Sequence, residues 1–193
     1  SIVHTGVSAV MTAARLIGWL EAQMSANKAT ADPDSGFVPP YTTLHVGMIQ
    51  GGTARNIVAK DCWFSTDIRV IPGESSAEWQ EKYRAEVTRL EAEIKKIRPE
   101  ARIEVQIRGD IPGCAPHMAE DAEALCRAVT GDNGQHVVSY GTEAGIFQAS
   151  GYSACICGPG NIEQAHQPDE FIEIAQLEAG DVFMDRLIGR LSA

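Results

Sequence analysis

Apolar and polar positions alternate along this chain in two rhythms, and the changes of rhythm mark its elements. From Thr5 or Gly6 to about Met24, apolar residues fall at Val7, Val10, Met11, Ala14 and Ile17, the spacing of one helix face. Residues 27–40 are rich in Ala, Asp, Pro, Ser and Gly and predict an exposed loop. Leu44, Val46 and Met48 then alternate with Thr43, His45 and Gly47, which predicts a strand with one apolar face. After the flexible Gln50-Gly51-Gly52-Thr53-Ala54-Arg55-Asn56 connection, a second strand places Cys62, Phe64, Ile68 and Val70 on one face. Trp63, Ser65, Asp67 and Arg69 lie on the other.

Pro72-Gly73 closes that strand, and Ser75 with Glu78 forms a capping box that opens a helix. Its apolar stripe is Trp79, Tyr83, Val87, Leu90, Ile94 and Ile97, and Pro99 ends it. Ile103, Val105 and Ile107 predict a third alternating strand. The order is helix, strand, strand, helix, strand. One strand ahead of the first helix would complete a β-α-β-β-α-β unit, the ferredoxin-like α+β sandwich.

Beyond Gly109-Asp110-Ile111-Pro112-Gly113 the rhythm changes. Met118, Ala122, Leu125 and Val129 mark a helix terminated by Gly131, and His136 to Ser139 predicts a short strand. Thr142 caps a short helix ended by Gly151. Ala154-Cys155-Ile156-Cys157 predicts a buried strand, and a last helix carries Ile174, Leu177, Met184, Leu187, Ile188 and Leu191. Strands alternating with helices predict part of a parallel α/β domain. The expected organisation is therefore α/β in two parts, residues 1–110 and residues 111–193.

Composition narrows the function classes. The 193 residues carry 16 basic and 26 acidic side chains, a formal charge of -10. That balance argues against nucleic acid and against anionic membrane surfaces, both of which need a cationic footprint. No apolar run approaches the roughly 20 residues that span a bilayer. Five cysteines, Cys62, Cys114, Cys126, Cys155 and Cys157, are odd in number and lack zinc-finger spacing, which suits a reducing, cytoplasmic setting. Cys155 and Cys157 stand two apart in a strand-like run and share a face. The chain begins at Ser1 and enters a helical pattern almost at once, so the expectation is a portion of a longer protein.

Chemistry concentrates in the loop from Gly158 to Glu170, between the last expected strand and the last helix, a usual place for working side chains in α/β folds. His166 there, beside Glu163 and Asp169, can ligate zinc or orient the loop through hydrogen bonds; spacing leaves both open. Thr142 and Glu143 start a helix whose backbone N–H groups favour anions, with Glu143 facing a cation or complementing the helix dipole. Arg69, on the polar face of its strand, suits a carboxylate ligand or pairs with Asp67. Asn56 serves its turn or reaches a ligand. His4, His45, His117 and His136 read as structural or solvated. Neither a phosphate-cradling glycine loop nor a Gly-x-Ser-x-Gly elbow is present.

Tyr140-Gly141-Thr142-Glu143-Ala144, Gly158-Pro159-Gly160 and Gln164-Ala165-His166-Gln167-Pro168-Asp169-Glu170 together resemble a known family. It is the dizinc metallopeptidases that include acetylornithine deacetylases, succinyl-diaminopimelate desuccinylases and glutamate carboxypeptidases, and the acetylornithine deacetylases are nearest. Gly6-Val7-Ser8-Ala9-Val10, Gly51-Gly52-Thr53-Ala54-Arg55-Asn56 and Asp67-Ile68-Arg69-Val70-Ile71-Pro72-Gly73 match in the family's order, so the resemblance covers essentially the whole chain.

The resemblance implies a ferredoxin-like lid for homodimerisation, lacking its first strand, joined to the C-terminal part of a zinc-peptidase-like α/β catalytic domain. It implies that His166 ligates one of two zinc ions, cobalt being the alternative metal. Asn56 and Arg69 would hold a substrate carboxylate, and Gly141, Thr142 and Glu143 would contact the rest of an N-acyl amino acid. Asn161 stands near the position of a further substrate-contacting asparagine. The implied activity is amide hydrolysis, deacetylation of N-acetylornithine in arginine biosynthesis. The family's other metal ligands, its general-base glutamate and its lid histidine have no match in this chain, so an incomplete, inactive C-terminal portion with no catalytic residue of its own is expected. The alternatives are a dimerisation or small-molecule-binding module without catalysis and a dipeptidase of the same family.

Overall fold

The structure, a computed structural model, describes residues 5–134, 136–165 and 167–192. The chain divides into two compact units. The first comprises residues up to Asp110 together with Val137–Tyr140, and the second comprises Ile111–His136 and the residues from Gly141 onward.

The first unit is a mixed α/β arrangement of α1 (Ala9–Ala29), β1 (Thr43–Gly51), β2 (Cys62–Arg69) and α2 (Ser76–Lys95). Helix α2 forms where the sequence predicts it. The Ser75 hydroxyl accepts from the Glu78 N–H at 3.4 Å, and Trp79, Tyr83, Val87, Leu90 and Ile94 are buried. Ile97 lies beyond the helix end and is exposed, because Lys95 is the last helical residue. Helix α1 starts later than expected, with Ser8 as its N-cap, and buries Ala13, Leu16 and Leu20. The expected stripe is thus rotated: Met11 and Ala14 face solvent. Apolar residues occur on both sides of this helix, so its pattern fits two faces, and packing in the core with Leu44 of β1 and the α2 stripe selects the leucine face.

Strands β1 and β2 pair antiparallel from Thr43↔Arg69 to Gly51↔Cys62. A bulge between Val46 and Met48 breaks the alternation of β1, so Met48 is exposed instead of joining Leu44 and Val46. Leu44 joins Leu16, Leu20 and the α2 stripe in one core, against which Val46, Phe64, Ile68 and Val70 pack. A buried polar link fixes the sheet to α2. The fully buried Thr42 hydroxyl accepts from the Ile71 N–H at 3.1 Å and donates to Glu74 Oε2 at 2.9 Å, which also accepts from Trp79 Nε1 at 2.7 Å.

The third strand expected around Ile103 is not part of a ladder. Ala101, Ile103 and Val105 pack on the core in alternation, but the only sheet among the described residues is β1-β2. A strand is a property of a pair, and no described strand pairs with residues 101–107; the Ile103 N–H donates instead to Glu91 Oε2 of α2 at 2.8 Å.

The second unit holds a 3-10 turn at Pro116–Met118, α3 (Glu120–Thr130), α4 (Ala144–Ala149), a second 3-10 turn at Ile162–Gln164 and α5 (Ile174–Leu191). Gly131 ends α3 in the left-handed region, φ 77°, which a Cβ would strain. The strands expected at residues 136–139 and 154–157 are extended chain without ladder bonds, so no parallel sheet is seen among the described residues. Residues 137–140 belong to the first unit instead. Among the described residues, no helix is long and apolar enough to cross a membrane.

Candidate functional site

The loop that follows residues 154–157 is shaped by its own side chains. Asn161 Oδ1 accepts from the Glu163 N–H at 3.0 Å, and Gln164 Oε1 accepts from the Asn161 N–H at 2.9 Å, a reciprocal cap on the 3-10 turn. Asn161 is therefore engaged locally. Asp169 adopts a positive φ of 63°, the left-handed conformation that aspartate tolerates better than most residues. His166, the expected metal ligand, lies outside the described residues, as does His4.

Ahead of the loop, residues 114–115 and 154 are tied together by a residue that the sequence reading missed. Gln148 of α4 is 3% exposed, and both ends of its amide are used. Oε1 accepts from the Ala115 N–H at 2.7 Å, while Nε2 donates to the carbonyls of Ala154 at 2.8 Å and Ala115 at 3.1 Å. The Cys114 thiol also donates to the Ala154 carbonyl, at 3.8 Å. Side chains thus satisfy the backbone at residue 154 where the expected strand would have used a neighbour. Gly145 makes this possible: a Cβ there would run into the Pro112 carbonyl, so α4 can lie against residues 112–115 only with glycine at this position. A buried glutamine in an otherwise apolar hexamer, Ala-Gly-Ile-Phe-Gln-Ala, was the available signal.

Gly141, Thr142 and Glu143 lead into α4. Thr142 Oγ1 accepts from the Ala144 N–H at 3.2 Å, but Glu143 occupies the N-cap position, one residue later than the sequence predicts. Its side chain makes no capping bond, and both Gly141 and Glu143 are exposed. Six residues of helix give little macrodipole, which weakens the dipole argument for an anion at this end.

In the first unit, Arg69 and Asp67 do meet. Arg69 Nε donates to Asp67 Oδ2 at 2.8 Å, the surface pair that is one of the two readings of this arginine. Arg69 Nη1 donates to the Ser139 carbonyl at 3.4 Å. A guanidinium has five N–H donors, so these contacts orient it without exhausting it. Asn56 is exposed in a turn closed by the Ile57 N–H to the Ala54 carbonyl at 3.2 Å. The candidates are thus distributed, with Asn56 and Arg69 on the first unit and Gly141, Thr142 and Glu143 on the second.

Among the described residues, no group of three or more His, Cys, Asp or Glu side chains is arranged to hold a metal ion. The described donors do not fit a zinc pair, which takes three or more protein ligands per ion in its usual chemistry.

Comparison with known proteins adds what the geometry does not supply. Residues 1–95 match the model of the peptidase dimerisation domain. The chain is 33% identical over 187 residues to the acetylornithine deacetylase of Myxococcus xanthus, covering 95% of this chain and 47% of that protein. It is 35% identical over 153 residues to the acetylornithine deacetylase of Proteus mirabilis (strain HI4320), covering 79% of this chain and 38% of that protein. The chain spans less than half the length of these curated relatives. These matches make the chain a homologue of acetylornithine deacetylases that carries the M20 peptidase dimerisation domain.

Proposed function

We propose that this chain supplies the dimerisation lid and one side of the substrate site of a metal-dependent amide hydrolase that acts on N-acylated amino acids, N-acetylornithine first among them. The observation that carries the reading is the 33% identity along 95% of the chain to an acetylornithine deacetylase. In this reading the first unit is a ferredoxin-like lid that forms a homodimer, and residues from 111 onward are the C-terminal part of the catalytic domain. The five unpaired cysteines suit a reducing compartment such as the cytoplasm.

Arg69 is the proposed partner of the substrate carboxylate. It stands on the polar face of β2 with its guanidinium held by Asp67, and an arginine oriented in advance loses less freedom when a carboxylate docks. Asn56 is the proposed second contact to that carboxylate. Gly141 and Thr142 are proposed to contact the substrate chain, and Glu143 to face the amino group of a cationic amino acid. His166 is the proposed metal ligand, with zinc, or cobalt in its place, required by the whole enzyme.

The test uses the polypeptide that joins this chain to the additional region its relatives possess, assayed against N-acetylornithine, succinyl-diaminopimelate and simple dipeptides. Loss of a charge-assisted contact predicts that Arg69→Ala raises KM for N-acetylornithine roughly 10- to 100-fold. His166→Ala should reduce the rate sharply; an unchanged rate in zinc-saturated buffer removes His166 from the reading. Preference for dipeptides would move the assignment to a dipeptidase. Sedimentation of the chain alone tests the lid, and a monomer at high concentration counts against its assembly role.

A further inference from the structure

Two of the four thiols in the second unit meet, a third lies two residues along the same extended chain, and the proposed hydrolysis uses none of them. Helix α3 presents Cys126 to the extended residues 154–157. Cys126 Sγ lies 3.6 Å from Cys155 Sγ, a non-bonded contact of two half-buried thiols. Cys157, two residues on and exposed, shares that face. Cys114 is engaged elsewhere, by Gln148 Nε2 at 3.3 Å and the Ala154 carbonyl. The cluster does not qualify as a metal site, so thiol chemistry is its available reactivity.

We propose that Cys126 and Cys155 are a reversible redox-modification site, closed to an intramolecular disulfide by a low-molecular-weight disulfide of the oxidised-glutathione class. One protein thiolate attacks a sulfur of R–S–S–R and expels R–S⁻. The other attacks the protein sulfur of the mixed disulfide and expels the second R–S⁻. Two protein thiols give up two protons and two electrons, and the oxidant leaves as two R–SH. Bond formation brings the sulfurs from contact to about 2.05 Å, a movement within reach of side-chain rotation. The bridge ties residues 154–157 to α3 and so fixes the chain just ahead of the Gly158–Glu170 loop.

Burial pushes the Cys126 and Cys157 thiols up from the ordinary value, and in Cys126 the neighbouring Cys155 thiol adds to it. The attacking thiolate is therefore scarce at neutral pH, and closure should accelerate as pH rises toward 9.

The experiment treats the chain with oxidised glutathione at pH 8.5, alkylates remaining thiols and cleaves after glutamate. That cleavage separates Cys114 from Cys126, which lies on the peptide 124–143, while Cys155 and Cys157 share the peptide 144–163. The expected result is a cross-link between these two peptides, retained in Cys157→Ser, abolished in Cys126→Ser and reversed by dithiothreitol. Amide hydrogen exchange over residues 127–154 should slow by roughly tenfold or more on closure, since the bridge restricts the opened chain. Separate glutathione adducts on the thiols, full alkylation after oxidation, or loss of the cross-link in Cys157→Ser would each overturn the assignment. Circular dichroism of each variant guards against misfolding as the cause of a negative result.

Discussion

The two units of this chain are built on different physical principles. The first has an apolar centre to which every element contributes: Leu16 and Leu20 from α1, Leu44 from β1, and five residues of α2. The second has almost none. Among the described residues its buried ones are Ala119, Val129, Gly145 and Gln148, and α5 buries nothing. Ile174, Leu177, Val182, Met184, Ile188 and Leu191 on α5 are all substantially exposed. Burying one such side chain contributes about 1.5–3 kcal/mol, a stabilisation that the first unit collects repeatedly and the second forgoes. The second unit relies instead on hydrogen bonds through Gln148, on capped turns and on contacts such as Arg186 Nη1 donating to the Val129 carbonyl at 3.2 Å. A helix with an apolar stripe therefore says that a core is needed, and it does not say that the same chain provides one.

This contrast can be broken or sharpened experimentally, and the probes separate well because Trp19, Trp63 and Trp79 all belong to the first unit. The largest effect is expected from Leu90→Ala, at the fully buried centre of α2. It should cost about 2–5 kcal/mol and move the urea midpoint of tryptophan fluorescence accordingly. An unmoved midpoint would mean that the first unit has no core of its own.

Next comes alkaline pH. Burial pushes the Tyr83 phenol from 10 up to about 12. A folded-state pKa above the unfolded value means that this stabilisation is complete below pH 10 and is lost as pH rises through about 12. The loss amounts to roughly 2–3 kcal/mol. Phenolate absorbance from Tyr83 should appear only with the tryptophan transition, and Tyr83→Phe should remove the pH dependence that the residue contributes.

A smaller cost, about 1–3 kcal/mol, is expected of Gln148→Leu, which keeps the volume but leaves the Ala115 N–H and the Ala154 carbonyl without Gln148. Faster alkylation of Cys114 with an unchanged tryptophan midpoint is the expected signature. If the midpoint shifts as well, the two units are not energetically separate. The smallest effect belongs to Ile188→Gln, expected to change stability by less than about 0.5 kcal/mol because the side chain is exposed. A core-sized loss in calorimetry of the chain would show that the α5 face is covered in solution.

The sequence by itself determined the elements whose information is local. Helix α2 was legible to within a residue or two, because charged residues surround a single apolar stripe and Ser75 and Pro99 mark its ends. The Gly131 stop of α3 and the Gly151 end of α4 were legible for the same reason: a residue type with a particular backbone preference stands where that preference is used. The family resemblance was also legible, and the peptidase dimerisation match and the deacetylase relatives agree with it. Of the candidate site, sequence named residues without their partners.

Tertiary structure decided the rest. It chose the Leu16–Leu20 face of α1 over the Val10–Met11–Ala14 face, since only contact with the sheet and α2 distinguishes them. It left residues 103–107, 136–139 and 154–157 without ladders, because alternation specifies which side of a strand is buried while pairing requires a second strand in register. It closed the Arg69–Asp67 pair, and it gave Gln148 the role of tying Ala115 to Ala154. In each case the deciding energy lies between residues far apart in sequence or in the fine geometry of two side chains, and neither is written in a local pattern.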